Sequence, residues 1–271
     1  MVEDATPPPY QRGLHRFAVL LATAVVLLIA AGGLVKSKEA GLSVPDWPLS
    51  YGSLNPPGWW RIATVRAEHG HRLIAGMVAL LTVLLAVWVG RKEPRRWVRR
   101  LSYLAVATVL IQALLGGITV LFFLPTAVSV SHAAVAQLFL CLIVTLAVVT
   151  SRAWLAGEPA SAMGGNERPL ARLAAATTGL IYLQILLGAV VRHTGSGLAI
   201  PDFPLAFGRL IPPSFDFRIG IHFAHRIGAL IVLTAVFLTL ARVAQSPHLR
   251  PRAMAPAAVM GALVVVQVGL G

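Results

Sequence analysis

Residues 35–57 read VKSKEAGLSVPDWPLSYGSLNPP, and residues 191–213 read VRHTGSGLAIPDFPLAFGRLIPP. At an offset of 156, 11 of these 23 positions are identical, which chance does not produce. Both stretches carry Gly-Leu-x-x-Pro-Asp-aromatic-Pro-Leu and finish in Pro-Pro (Pro56 and Pro57; Pro212 and Pro213). That is a turn-rich, aromatic segment suited to lying at a membrane surface. The likeness continues downstream, because His71-Arg72 corresponds to His225-Arg226 at an offset of 154, and Gln112 to Gly116 resembles Gln267 to Gly271 at 155. The chain is a tandem duplication, and repeats of this parity share one orientation, related by an axis along the membrane normal.

What surrounds the repeated loops decides the fold class. Of the 271 residues 57% are hydrophobic and only 12% charged, with a mean hydropathy of +0.77. The apolar residues gather in runs of about 20, the length that crosses ~30 Å of hydrocarbon. Seven such runs cover approximately residues 15–35, 69–90, 101–124, 128–150, 170–191 and 219–241, with one from near 253 to the end of the chain. The expectation is an all-α membrane protein made of two tandem homologous four-helix bundles, eight helices in all with about seven in this chain. The first run is too long for a signal-peptide core and no convincing cleavage site follows it. In the first half His132 lies 16 residues beyond Gly116, so the same spacing beyond Gly271 puts an eighth helix and its histidine outside the sequence, as in a carboxy-terminally truncated protein.

Charge sets the topology. The net charge of +13 comes from Lys and Arg in short loops between apolar runs, where they act as topology signals and contacts for anionic lipid; nucleic acid is not an expected partner. The amino-terminal tail and the loops after segments two, four and six hold 14 Lys+Arg against 7 in the opposite loops, so the amino terminus is expected to be cytoplasmic and both repeated loops outside. The expected organisation is a disordered cytoplasmic tail at 1–14, an amino-terminal four-helix half at 15–150, a cytoplasmic linker at 151–169 and an incomplete second half at 170–271. The single cysteine, Cys141, lies inside an apolar run, which excludes an internal disulfide, a cysteine metal site and an iron–sulfur cluster.

Segments two, four and six run in one direction, and His71, His132 and His225 each fall in their first turn or two, at one depth near the outer face. Ionisable groups inside a membrane are costly and face the bundle interior, and facing helices can present imidazoles to a flat cofactor. Bis-histidine haem ligation is the natural use, with Arg72 and Arg226 available to pair with haem propionates or simply to anchor helix ends at headgroups by snorkelling. His69 and His222 carry less signal, and His15, His193 and His248 read as surface residues. The first half opens with Glu68-His-Gly-His71-Arg72, whereas the second has His222-Phe-Ala-His225-Arg226. Glu68 therefore has no carboxylate counterpart. It shares a helix face with His71, where it can handle protons or stabilise a cation, or it can form an ion pair with Arg72 at i, i+4. The asymmetry favours one catalytic half and one electron-transfer half.

Taken together, Glu68-x-x-His71-Arg72, His225-Arg226, His132 at the head of the fourth helix and the duplicated Pro-Asp-aromatic-Pro loop resemble heme A synthases over nearly the whole chain. The resemblance implies an oxidoreductase of the cell membrane of bacteria or archaea that converts the C8 methyl of heme O to a formyl group by successive hydroxylations, for cytochrome c oxidase biogenesis. It implies that Glu68, His71 and His132 belong to the half that takes heme O, with Glu68 essential, and that His225 is one axial ligand of a heme b whose other ligand falls beyond Gly271. It also implies an electron-transfer partner of unknown identity, with heme O synthase and oxidase assembly factors as neighbours. Residues 36–68 contain no cysteine pair, so the chain resembles the cysteine-free type. A membrane cytochrome b relaying electrons from quinol would use the same histidines but gives no reason for an acid in one half alone. A transporter on parallel repeats would need a polar midplane, which these Leu, Val and Ala stretches do not provide.

Overall fold

The computed structural model describes residues 9–157 and 167–270. Among these residues the regular structure is helical, with seven helices long and apolar enough to cross a membrane. They are α1 (Arg12–Ser37), α2 (Ala63–Lys92), α3 (Arg96–Leu121), α4 (Thr126–Val149), α6 (Glu167–His193), α7 (Phe217–Ala244) and α8 (Arg250–Leu270); a single turn, α5 (Arg152–Leu155), follows α4. The chain is thus the all-α membrane protein its apolar runs require.

Local chemistry ends these helices where it must. Pro94 has no N–H and forces Glu93 into an extended conformation, so α2 stops at Lys92. Pro125 opens α4, after Phe123 and Leu124 have both turned to positive φ. Asp216 caps α7 by accepting the Ile219 N–H at 2.8 Å, the standard use of a short acidic side chain at a helix start. Two helices differ from the apolar runs. α2 begins at Ala63, six residues before the run at 69, so His71 and likewise His225 lie in the third turn of their helices rather than the first or second. α3 ends at Leu121, short of 124. Of the expected amino-terminal tail, residues 1–8 lie outside the described residues, and helix has begun by Arg12. Residues 158–166 of the expected linker, and Gly271, also lie outside them.

The chain divides into two compact units, Met1–Gly157 and Glu158–Gly271. In the first, α1 packs on α2, α2 on α3, α3 on α4 and α4 on α1, which closes a four-helix ring. Its fully buried apolar core comes from Leu14, Leu21 and Val25, from Val78, Leu85 and Val89, from Val98 and Ala105, and from Ile143 and Leu146. These residues lie early in α1 and α3 and late in α2 and α4, so the apolar core occupies one end of the ring. Glu93 and Arg95 tie that end together: their side chains pair at 2.7 Å and Arg95 also donates to the Val149 carbonyl. Burial alone would raise the Glu93 carboxyl, but the Arg95 hydrogen bonds outweigh it and hold the group below its usual range. In the second unit α6 packs on α7 and α7 on α8.

Candidate functional site

The end of the first unit opposite the apolar core is covered by the loop between α1 and α2, and polar groups hold it. The Asp46 carboxylate accepts the Tyr51 and Gly52 N–H groups, each at 2.7 Å, around a turn in which both residues have positive φ. The Gly52 N–H contributes most to holding the Asp46 carboxyl below its usual range, against partial desolvation. The Tyr51 hydroxyl donates to the Ser43 carbonyl. Arg72, from α2, donates to the carbonyls of Val44, Asp46 and Leu49. Glu68 completes the clamp: one carboxylate oxygen pairs with Arg72 at 2.7 Å, and the other accepts the Val44 N–H at 2.8 Å. Its residue is 4% exposed, a burial that a carboxylate tolerates only when paired and hydrogen-bonded. His69 lies alongside, its Nδ1 2.8 Å from Ser50 Oγ and its ring edge-on to Trp59.

The loop between α6 and α7 is built the same way. Asp202 accepts the Phe207 and Gly208 N–H groups, each at 2.7 Å, and Arg226 donates to the carbonyls of Ile200 and Leu205. His222 stands where Glu68 stands in the first unit: its Nδ1 accepts the Ile200 N–H at 3.3 Å, and its Nε2 faces Arg226 Nε at 3.3 Å. The Trp47–Pro48 and Phe203–Pro204 bonds are both cis. The duplication read in the sequence therefore extends to individual hydrogen bonds.

Below these loops lie the three histidines. A Cβ placed on Gly32 of α1 would come within 3.1 Å of His71 Cε1, one on Gly116 of α3 within 3.3 Å of His132 Cε1, and one on Gly188 of α6 within 2.9 Å of His225 Cε1. Each imidazole therefore approaches a neighbouring helix, Cε1 foremost, where that helix has no side chain, the close approach small residues permit in membrane bundles. Gln112 donates to the His132 carbonyl at 2.7 Å, and Gln184 to the His225 carbonyl at 2.8 Å. His71 Nδ1 and His132 Nδ1 are buried without a hydrogen-bond partner, and the two rings are within electrostatic reach of each other.

These observations test whether the residues fit a haem. Buried polar groups without a partner carry a cost and need a reason; here three imidazoles in one bundle carry it, His69 at Nε2 and His71 and His132 at Nδ1, at the end where the apolar core is absent. Among the described residues no three His, Cys, Asp or Glu gather to chelate a bare ion. A haem needs only axial imidazole from the protein, so the donor set fits. Arg72 and Arg226 are adjacent to the histidines but turned onto their loops. His15, read as a surface residue, has its Nδ1 3.0 Å from the Ala147 carbonyl and links α1 to the end of α4. Sequence reading passed over Gln184 and the glycines Gly32 and Gly188; the recurring Gln-x-x-x-Gly at 112–116, 184–188 and 267–271 was the signal available.

Comparison with known proteins supplies the family. Residues 63–271 match the family model of the cytochrome oxidase assembly proteins, COX15-CtaA. The chain is 33% identical over 264 residues to heme A synthase of Symbiobacterium thermophilum, an alignment covering 91% of this chain and 82% of the relative. It is 30% identical over 231 residues to heme A synthase of Halalkalibacterium halodurans, covering 84% and 76%. With heme A synthase of Methylorubrum populi it shares 28% identity over 313 residues, covering all of this chain and 81% of the relative. A family match over most of the chain, on a bundle whose histidines suit haem, means that this protein belongs to the COX15-CtaA family of cytochrome oxidase assembly proteins.

Proposed function

We propose that this chain is a heme A synthase, an oxidoreductase that converts the C8 methyl of heme O to a formyl group by successive hydroxylations, working in the cell membrane with its amino terminus cytoplasmic. The single observation that carries the assignment of the site is the pair His71 and His132: two half-buried imidazoles, each against a glycine, each with its Nδ1 buried and unpartnered, in the half that also buries Glu68. The names of the matched relatives support heme A synthesis as the activity.

In this reading the amino-terminal half, approximately residues 15–150, receives heme O between His71 and His132. Glu68, on the helix face of His71, is the catalytic carboxylate. Its negative charge either accepts a proton released from the reacting carbon or stabilises positive charge developing there, and preorganised charge lowers the energy of such a state. Arg72 and the Val44 N–H fix both carboxylate oxygens, so Glu68 does not reorganise during reaction. The second half, approximately residues 170–271, holds heme b through His225. Heme b supplies one-electron redox chemistry when bound. Arg226 closes the second loop as Arg72 closes the first, and the positive charge of each lies beside the histidines, where a haem carboxylate is attracted. The electron acceptor is a separate redox partner, and heme O arrives from heme O synthase.

The experiment is to express the protein where heme O is made and analyse the extracted haems by chromatography. Heme A must appear, and must vanish when His71 or His132 is changed to Ala. Membranes that contain heme b alone would identify an electron relay instead.

A further inference from the structure

We infer that Gln184, in the space left by Gly228, is the positioning residue that sets the ring orientation and proton location of His225, a control that His71 in the first unit lacks. This rests on the reading of His225 as a haem ligand and adds a residue to it. The Gln184 amide nitrogen lies 2.9 Å from His225 Nδ1 and 2.8 Å from the His225 carbonyl oxygen. One side-chain amide thus engages both the ring and the backbone of the same histidine, while Gly188, one turn further along α6, lies against the same ring. Gly228, one turn beyond His225 on α7, makes room: a Cβ there would collide with Gln184 Oε1.

The first unit replaces both partners together. At the repeat offsets, Gln184 corresponds to Leu28 and Gly228 to Ile74, and Leu28 and Ile74 are partly buried and pack against the apolar core. His71 Nδ1 is accordingly buried without a partner, whereas His225 Nδ1 has one. A polar residue and the hole it fills occur in one half, an apolar pair in the other.

The chemistry gives this contact a direction. An imidazole binds iron through Nε2 only when that nitrogen is bare, so its proton resides on Nδ1. A primary amide presents either nitrogen or oxygen to a neighbour by a half-turn. In the structure the Gln184 amide nitrogen faces Nδ1; with iron on Nε2 the Nδ1–H needs an acceptor, which a half-turn of the amide supplies through Oε1 in exchange for its bond to the His225 carbonyl. Acceptance makes the imidazole more electron-rich, which stabilises ferric iron and lowers the haem potential.

The test is redox titration and low-spin electron paramagnetic resonance of the haem-loaded protein, for the native chain and three variants. Gln184→Leu should shift the potential of the second-half haem upward and lower its retention about 10-fold. Gln184→Leu with Gly228→Ile, which rebuilds the first-half packing, should restore retention but keep the raised potential. Gln184→Glu, a stronger acceptor, should shift it downward. Opposite shifts support the inference, because a purely structural role would not change sign with the acceptor. Potentials equal to the native one, or shifts of the same sign in the Leu and Glu variants, overturn it. His225→Ala separates the two levels: survival of the second-half haem signal overturns the ligand reading itself, whereas its loss, with native potentials in all Gln184 variants, overturns the role of Gln184 alone.

Discussion

The loop after α1 and the loop after α6 have nearly the same backbone and different chemistry beneath it. Asp46 and Asp202, the turns they hold, and the arginines that gather loop carbonyls all coincide, yet the residue linking loop to helix is Glu68 in one half and His222 in the other. Both accept the same loop N–H and both face the same arginine. The clamp therefore needs only an acceptor at that position, and does not need a carboxylate. A carboxylate is the more costly choice, since it is buried in a membrane protein and requires Arg72 to offset its charge. The first half bears that cost where the second avoids it, which is what a group retained for chemistry would show.

The largest effects should separate the halves by ligand. His71→Ala or His132→Ala should reduce heme A formation below detection while leaving the second-half haem spectrum in place; His225→Ala should remove that spectrum instead. Haem analysis and visible spectra on the same membranes check both, and a spectrum lost equally from all three would dissolve the division of labour.

The clamp comes next. Arg72→Ala strands a buried carboxylate and three loop carbonyls, so it should cost about 3–5 kcal/mol. Arg226→Ala strands carbonyls but no carboxylate and should cost about 1–2 kcal/mol. Thermal unfolding in detergent ranks them. Glu68→His, which writes the second half's solution into the first, should restore acceptance of the Val44 N–H and change stability by no more than about 1 kcal/mol, yet abolish formyl formation. An active Glu68→His protein would reduce Glu68 to a clamp residue.

A smaller effect tests the glycines. Gly188→Ala brings a methyl within 2.9 Å of the His225 ring, against 3.1 Å for Gly32→Ala and His71. Haem retention should fall in both, more for Gly188. Gly179→Ala, where a Cβ meets nothing within 4 Å, should bind haem normally and gain roughly 0.5–1 kcal/mol from reduced backbone freedom.

The spans, their number and the duplication were legible because each rests on local pattern: apolar length for a helix, and identity at a fixed offset for a repeat. The start of α2 was not. Glu68 and His69 make its outer turns look like loop to any hydropathy reading, but here the loop after α1 covers them in place of lipid, with Ser50 paired to His69 Nδ1 and Trp59 against its ring. Helix continues wherever its polar face has a protein partner, and sequence does not display the partner. The histidines could be identified for a related reason: an ionisable residue in an apolar run stands out alone. Gln184 does not, because its meaning lies in Gly228 and His225, 44 and 41 residues away, and only packing of α6 on α7 brings the three together.

The smallest expected effect asks whether the two loops remain equivalent when acid challenges them. Asp46 and Asp202 are each held below the usual carboxylate range, foremost by the N–H of Gly52 and of Gly208 respectively. A carboxyl lowered on folding stabilises the fold fully above its unfolded value of about 3.9 and loses that contribution as pH falls through the lower folded value. The protection of the Tyr51 and Gly52 amides, and of Phe207 and Gly208, relative to their intrinsic exchange rates should therefore hold down to about pH 4 and fall below it. Asp46→Asn and Asp202→Asn replace one acceptor oxygen with a donor facing an N–H, so protection should be lower at every pH and lose its acid dependence. Equal behaviour in both loops would confine the functional difference between the halves to Glu68, His222 and the histidine environments beneath them; a loop that opens well above pH 4 in one half alone would mean that the turn, too, has diverged.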